Sequence, residues 1–262
     1  MSILNVKEVE GSMILGSKKI SWIARNPVKN LQSINSFVDH KVNKDTSKDL
    51  FVKYNSRIVH ISLKNFYALN NLFYDSHFFE NLELLHIDLS SMQWENEQKV
   101  LCYLALSISA KNIFEIGTCY GLTSSNLACL LPDASVVTID NQDYKKHSYF
   151  CRFNDLIDYN KVKKVICDST SFDFKPYHNK IDVFYVDGSH SYKNVKSDGI
   201  NALKCVKNNG FIVFHDFYNN CGYDGLVKAI CEISDEYDKR MYWIEGTRFC
   251  IMKGFSNKSK IQ

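Results

Sequence analysis

Residues 111–140, KNIFEIGTCYGLTSSNLACLLPDASVVTID, contain the pattern that most restricts the fold of this chain. A short apolar run ends at Gly117, where a residue without Cβ permits a tight turn and a close backbone approach to a ligand. Gly121 offers a second such position, and the leucines after it have the spacing of a helix that ends at Pro132. Another apolar run, 136–139, follows. The stretch therefore predicts strand, glycine turn, helix and strand, which is a βαβ unit.

The second strand of this unit ends at Asp140, about 25 residues after Glu115, where nucleotide-binding α/β folds keep the acid that binds ribose hydroxyls. An adenosine-bearing ligand is therefore expected. A dinucleotide site would have the spacing G-x-G-x-x-G, whereas Cys119 stands here at the place of the second glycine. The alternative that needs no ligand is a tight turn in an ordinary α/β protein.

The glycine stretch resembles motif I of the class I S-adenosylmethionine-dependent methyltransferases, in the form E-I-G-T-x-x-G-x-[ST]. The resemblance implies that the backbone at 117–121 binds the methionine part of the cofactor and that Asp140 binds the ribose. It also places Asp168 and Ser169 near the adenine. The full set of predicted cofactor residues is Glu115, Gly117, Thr118, Gly121, Thr123, Asp140, Asp168 and Ser169.

The remainder of the chain repeats the alternation of strands and helices. Apolar runs at 162–167, 181–186 and 211–214 predict three further strands, and runs at 241–244 and 248–253 predict a hairpin. We therefore predict an α/β fold with a Rossmann-like, doubly wound sheet of the class I methyltransferase type, mostly parallel with a C-terminal antiparallel hairpin. Residues 1–90 are predicted to be an α+β extension that covers the substrate or mediates oligomerisation, 91–255 the methyltransferase domain and 256–262 a polar tail.

All five central strands end in polar or glycine-rich sequence, at Gly117, Asp140, Asp168, Asp187 and Asp216. Ligands of open α/β sheets bind beyond the carboxyl ends of the strands, so these side chains are expected to surround one site. For Asp168 and Asp187 the alternative is that each caps the helix that follows it.

A second motif combines V-D-G-S-H-S-Y at 186–192 with H-D at 215–216. It resembles a subgroup of class I methyltransferases that includes metal-dependent O-methyltransferases acting on small molecules or sugars, and the resemblance covers roughly residues 97–253. Adjacent strands lie about 4.8 Å apart, so Asp187 and Asp216 can reach one Mg²⁺ or Mn²⁺. His215 is a candidate third ligand, with packing or steering of Asp216 as its alternative role.

His190 is the predicted general base. A neutral imidazole suits proton transfer near neutral pH, and His190 lies one helical turn beyond Asp187 if the chain enters its helix there. The alternative is that His190 caps or packs at the start of that helix.

Charge and cysteine usage restrict the partners. A net charge of +3, from 32 basic and 29 acidic interspersed residues, favours a small-molecule partner over nucleic acid or a membrane surface. The family resemblance implies that this acceptor is a small molecule or a saccharide. Nine cysteines without a C-x-x-C pair indicate a reducing, cytoplasmic setting. A homo-oligomer is compatible with all of this. An NAD-dependent oxidoreductase and a catalytically silent Rossmann-like binding subunit are the competing functions.

Overall fold

The computed structural model describes residues 46–84, 92–143, 161–219 and 221–255. The first 45 residues of the predicted N-terminal extension and the predicted polar tail lie outside these ranges. The helices are α1 (Ser47–Lys53), α2 (Leu63–Leu69), α3 (Ser76–Glu80), α4 (Met92–Ser107), α5 (Leu122–Leu130), α6 (Tyr192–Cys205) and α7 (Asp224–Glu236). The strands are β1 (Ile58–Ile61), β2 (Asn112–Ile116), β3 (Ser135–Asp140), β4 (Val162–Ile166), β5 (Ile181–Val186), β6 (Val206–Phe214), β7 (Met241–Ile244) and β8 (Cys250–Lys253).

These strands form one sheet in the order β1-β7-β8-β6-β5-β2-β3-β4. Neighbouring strands are parallel except at β8, which is antiparallel to both β6 and β7. This confirms the predicted mostly parallel sheet with a C-terminal antiparallel hairpin, which is the class I methyltransferase fold.

The central strands are apolar on both faces because helices cover both sides of the sheet. Successive residues of β2 show this: Ile113 packs among the side chains of α2, α4 and α5, whereas Phe114 and Ile116 pack on the opposite face, toward α6 and α7. The carboxyl ends of the parallel strands consequently meet at one edge of the sheet, between the two helical layers. No helix in the described part of the chain is long and apolar enough to cross a membrane.

The described start of the N-terminal extension is built into the main sheet. Strand β1 pairs in parallel with β7, Ile58 opposite Met241, and is the edge strand of the same sheet. Helix α1 packs on α7, and the Asp224 carboxylate, at the start of α7, accepts a hydrogen bond from the backbone N–H of Ser47. Residues 46–62 are therefore part of the main sheet and of one helical layer.

Candidate active site

A cavity of about 210 Å³ lies at the carboxyl ends of β2, β3, β4 and β5. Four of the predicted cofactor residues line it, namely Gly117, Asp140, Asp168 and Ser169, together with the predicted metal ligand Asp187. The other lining residues are Ile116, Cys119, Ile139, Asn141, Cys167, Gly188, Ser189 and Asn194.

The turn after β2 requires a glycine at position 117. Gly117 has a φ of +99°, and a Cβ there would stand 2.0 Å from the carbonyl oxygen of Asp187. The backbone N–H of Cys119, two residues on, donates to Asp140 Oδ2 at 2.7 Å, and that of Gln142 donates to Oδ1 at 3.0 Å. These two bonds fix Asp140 at the cavity wall, although burial raises the pKa of its carboxyl group.

The other predicted cofactor residues lie outside the cavity lining and support the loop instead. Glu115 is buried under α5, where its carboxylate accepts hydrogen bonds from the hydroxyls of Ser124 and Thr138. Burial raises the pKa of Glu115 to about 8. Thr118 bonds the hydroxyl of the same Thr138 at 2.7 Å, and the Thr123 hydroxyl accepts from Gln98 Nε2 at 3.0 Å. Gly121, with a φ of +80°, precedes α5 and does not line the cavity either.

Asp168 both lines the cavity and caps a short turn. Its carboxylate accepts from the backbone N–H of Thr170 at 2.8 Å and from the Thr170 hydroxyl at 2.7 Å, which lowers the pKa of Asp168. Asp168 is therefore a capping residue, as the alternative prediction proposed, and the element that it caps is the 3₁₀ turn Ser169–Ser171. Helix α6, by contrast, is capped by Ser191, so neither Asp187 nor His190 caps it.

His190 follows the cavity-lining Ser189 and contacts Asp216, and neither His190 nor Asp216 lines the cavity itself. The Nε2 of His190 lies 2.7 Å from Asp216 Oδ2, and its ring is stacked on that of Tyr223 with centroids 4.1 Å apart. Asp216 has a φ of +58°, a left-handed conformation that is uncommon for residues other than glycine. The potential ligand atoms of Asp187, His190 and Asp216 lie within 4.8 Å of one another.

His215, the candidate third metal ligand, lies within a buried group of carboxylates. Its ring is buried, with Nε2 3.0 Å from Glu97 Oε2 and Nδ1 3.1 Å from Asp187 Oδ1. Although burial favours the neutral ring, the surrounding carboxylates raise the pKa of His215 well above its ordinary value. An imidazolium donates from both nitrogens and has no lone pair for a metal. The alternative role, steering the neighbouring carboxylates, agrees with this geometry.

Sequence reasoning missed two residues of this site, Glu97 and Arg248. The Arg248 guanidinium donates to both carboxylate oxygens of Glu97, at 2.9 and 2.7 Å, and to Asp216 Oδ1 at 2.8 Å. Glu97 is 1% exposed and lies on the same face of α4 as Val100 and Leu101. An acid in line with the apolar face of a helix was the available signal for Glu97. Arg248 lies in the turn between the hairpin strands β7 and β8, and its sequence context gave no comparable signal.

Comparison with known proteins agrees with this fold. Residues 114–217 match a family model described as a methyltransferase domain, which is less than half of the chain. The search of curated proteins found no match. Similar solved structures include the O-methyltransferase TomG from Streptomyces achromogenes with S-adenosylmethionine (17% identity, 73% of this chain and 95% of that one, TM-score 0.48). Another is cofactor-bound Rv0187 from MTB (16% identity, 82% of this chain and 100% of that one, TM-score 0.47). A third is the TDP-rhamnose 3'-O-methyltransferase CalS11 (13% identity, 75% of this chain and 96% of that one, TM-score 0.47).

The sheet order and the methyltransferase-domain match over residues 114–217 together indicate an enzyme of the class I S-adenosylmethionine-dependent methyltransferase type, as the sequence predicted. The matched range extends from Phe114, in the first strand of the βαβ unit, to Phe217, directly after the H-D pair. It therefore contains both motifs and every predicted site residue.

Proposed function

We propose that the protein transfers the methyl group of S-adenosylmethionine to a hydroxyl group of a small molecule or sugar, with His190 as the general base. The observation that carries this proposal is the 2.7 Å contact between His190 Nε2 and Asp216 Oδ2, beside a cavity that Asp187 lines. His190 is 27% exposed in its side chain, so an acceptor can reach it.

Asp216 selects the form of His190 that can act as a base. Burial opposes ionisation of Asp216, but hydrogen bonds from His190 and His215 hold its pKa well below the ordinary value, so it is a carboxylate. A carboxylate accepts the Nε2–H of a neutral imidazole, which leaves the lone pair on Nδ1. Nδ1 then takes the acceptor's proton while the acceptor oxygen bonds the methyl carbon. The carbon–sulfur bond breaks, and its electron pair stays on sulfur as S-adenosylhomocysteine.

The cavity is the proposed cofactor site. Asp140 would accept bonds from the ribose hydroxyls, and its orientation is already fixed by the backbone of Cys119. Asp168 and Ser169 would lie near the adenine, and the turn at Gly117 would face the methionine part, as the sequence resemblance implies. Cavity, base and orienting carboxylate thus lie at one edge of the sheet.

A divalent metal fits the acid cluster beside this cavity. Three carboxylates, from Glu97, Asp187 and Asp216, face two cations, the Arg248 guanidinium and the His215 imidazolium, which leaves a net negative charge. We propose Asp187 and Asp216 as ligands, with the nearby His190 kept as the base rather than as a third ligand. Carboxylate oxygens are the ligands that Mg²⁺ and Mn²⁺ prefer. Such an ion would orient the acceptor oxygen and lower its pKa.

The test of the transfer uses methyl-labelled S-adenosylmethionine with a metabolite extract as the source of acceptors. The parent protein is expected to label a small molecule, and His190→Ala should lose about 10²- to 10⁴-fold in rate while still binding the cofactor in calorimetry. Asp140→Ala is the matched variant, and it is expected to lose cofactor binding instead. Losing the hydrogen bonds to ribose should weaken that binding at least about tenfold. A His190→Ala rate within a few-fold of the parent would remove His190 as the base.

Metal dependence is tested separately with the same labelled product. A chelator should abolish turnover by the parent protein, and added Mg²⁺ or Mn²⁺ should restore it. Cofactor binding serves as the control and should be unaffected by the chelator. Full activity in excess chelator would instead leave a metal-independent transferase that depends on the His190–Asp216 pair alone.

A further inference from the structure

Asp198 is a carboxylic acid for which the proposed reaction has no use. It lies in α6 and is 0% exposed. Neither of its carboxylate oxygens meets a hydrogen-bond donor at good distance and angle among the described residues. A buried carboxylate without partners is costly, and native proteins rarely retain one without a reason.

The position of Asp198 relates it to the cofactor cavity. It lies one helical turn after Asn194, which lines the cavity, on the face of α6 that packs against the 3₁₀ turn Ser169–Ser171. Ser169 also lines the cavity, and its hydroxyl is close enough to Asp198 to influence that group. Asp198 is therefore adjacent to two residues of the cavity wall without being part of it.

We propose that Asp198, as an uncharged carboxylic acid, positions the turn at Asp168–Ser171 and thereby sets the affinity for the adenosine part of the cofactor. This inference rests on the proposed assignment of the cavity to S-adenosylmethionine. A neutral carboxyl group can both donate to the Ser169 hydroxyl and accept from it, whereas a carboxylate can only accept. A carboxylate there would also be a second negative charge beside Asp168.

The charge state of Asp198 changes near neutral pH. Burial raises its pKa to about 7, the Ser169 hydroxyl lowers it, and the charge of Asp168 raises it. Asp168 is the one charged group, among those described, that acts on Asp198 in this way. A ligand that covers Ser169 and Asn194 removes water from this wall and makes the charged form of Asp198 still less favourable. Binding is then linked to proton uptake, so affinity falls as pH rises through and above 7.

The test is calorimetric titration of the parent protein and Asp198→Asn between pH 6 and pH 8.5. S-Adenosylmethionine is one ligand. The other is 5′-methylthioadenosine, because it has adenine and ribose but lacks the amino group that titrates near this range. The parent's affinity for methylthioadenosine is expected to fall about three- to tenfold, corresponding to a pKa shift of up to about one unit on binding. The affinity of Asp198→Asn for methylthioadenosine should change less than about twofold over the same pH range, because its side chain stays neutral.

Cys205→Ala is the matched control for α6 packing. Cys205 lies further along the same helix, near the backbone oxygen of Phe174 and away from the cavity lining. This variant should keep the parent's pH dependence. Thermal unfolding of each variant checks that it folds.

Three results would overturn the inference. The first is an affinity that is constant or rises with pH in the parent, and the second is the same fall in Asp198→Asn as in the parent. The third is absence of binding of either ligand at pH 6, which would remove the cofactor assignment itself and this inference with it. The first two results, obtained with binding intact at pH 6, would leave the proposed function standing.

Discussion

At the scale of single residues, the site depends on a buried ionic network that holds Asp216 in place. Glu97 accepts hydrogen bonds from the Arg248 side chain, from the Arg248 backbone N–H at 2.8 Å and from His215. These bonds lower the pKa of Glu97 even though burial, the largest single influence, raises it. Arg248 in turn donates to Asp216, and Asp216 contacts His190. The orientation of the proposed base is thus set by residues up to 151 positions apart in the chain.

Arg248→Met is expected to destabilise the protein by about 3–5 kcal/mol, because it removes one of the two cations that face the buried Glu97 carboxylate. Lys111→Met is the control. It breaks an ion pair with Asp133 whose side chains are 58% and 81% exposed, and it should change stability by less than about 1 kcal/mol. Urea denaturation measures the free energy of unfolding of both variants. Equal, small losses in the two variants would mean that the Glu97–Arg248 pair contributes no more than a surface ion pair.

At the scale of elements, the sequence predicted the features that depend on neighbouring residues, namely strand bounds and the residues at strand ends. Strand β5 has the bounds that its apolar run predicted, and Gly117, Asp140 and Asp187 lie at strand ends as expected. The environment of His215 could not be predicted, because it depends on Glu97 from α4, on the far side of the βαβ unit in sequence. The pairing of β1 with β7 is likewise a contact between distant segments, and neither strand's own sequence specifies its neighbour.

Helix α1 stabilises the segment that follows Asp216, and Phe51 is the side chain that does so. Its ring lies 4.9 Å from that of Phe217 and 5.2 Å from that of Trp243. Phe51→Ala should cost about 1–3 kcal/mol, less than a fully buried phenylalanine because Phe51 is only half-buried. Val52→Ala, at a neighbouring side chain that is 69% exposed, should stay within about 0.5 kcal/mol. The midpoints of urea unfolding compare the two, and a similar shift in both would show that α1 does not support Phe217.

At the scale of the whole molecule, the sheet joins segments from both ends of the described chain. β1 and β7 are connected by backbone bonds beyond the ladder itself, since the N–H of Met241 donates to the Arg57 oxygen and that of Glu245 to the Ile61 oxygen, at 2.9 and 3.0 Å. Leu50, 1% exposed, adds an apolar side chain from α1 to the core. A catalytic domain that began after these residues would therefore have an incomplete sheet.

A chain that begins at residue 63 is accordingly expected to fold poorly, whereas one that begins at residue 46 keeps every described element. Removing α1 and β1 leaves the backbone groups of β7 unpaired at a new edge, which favours aggregation. It also deletes two buried aliphatic side chains, Leu50 and Ile61, each contributing about 2–5 kcal/mol against a typical total of about 5–15 kcal/mol. Circular dichroism during urea titration, with sedimentation to detect aggregates, compares the two chains. Cooperative unfolding of the shorter chain at the same urea concentration would contradict this and would show that the part of the chain after residue 62 folds without α1 and β1.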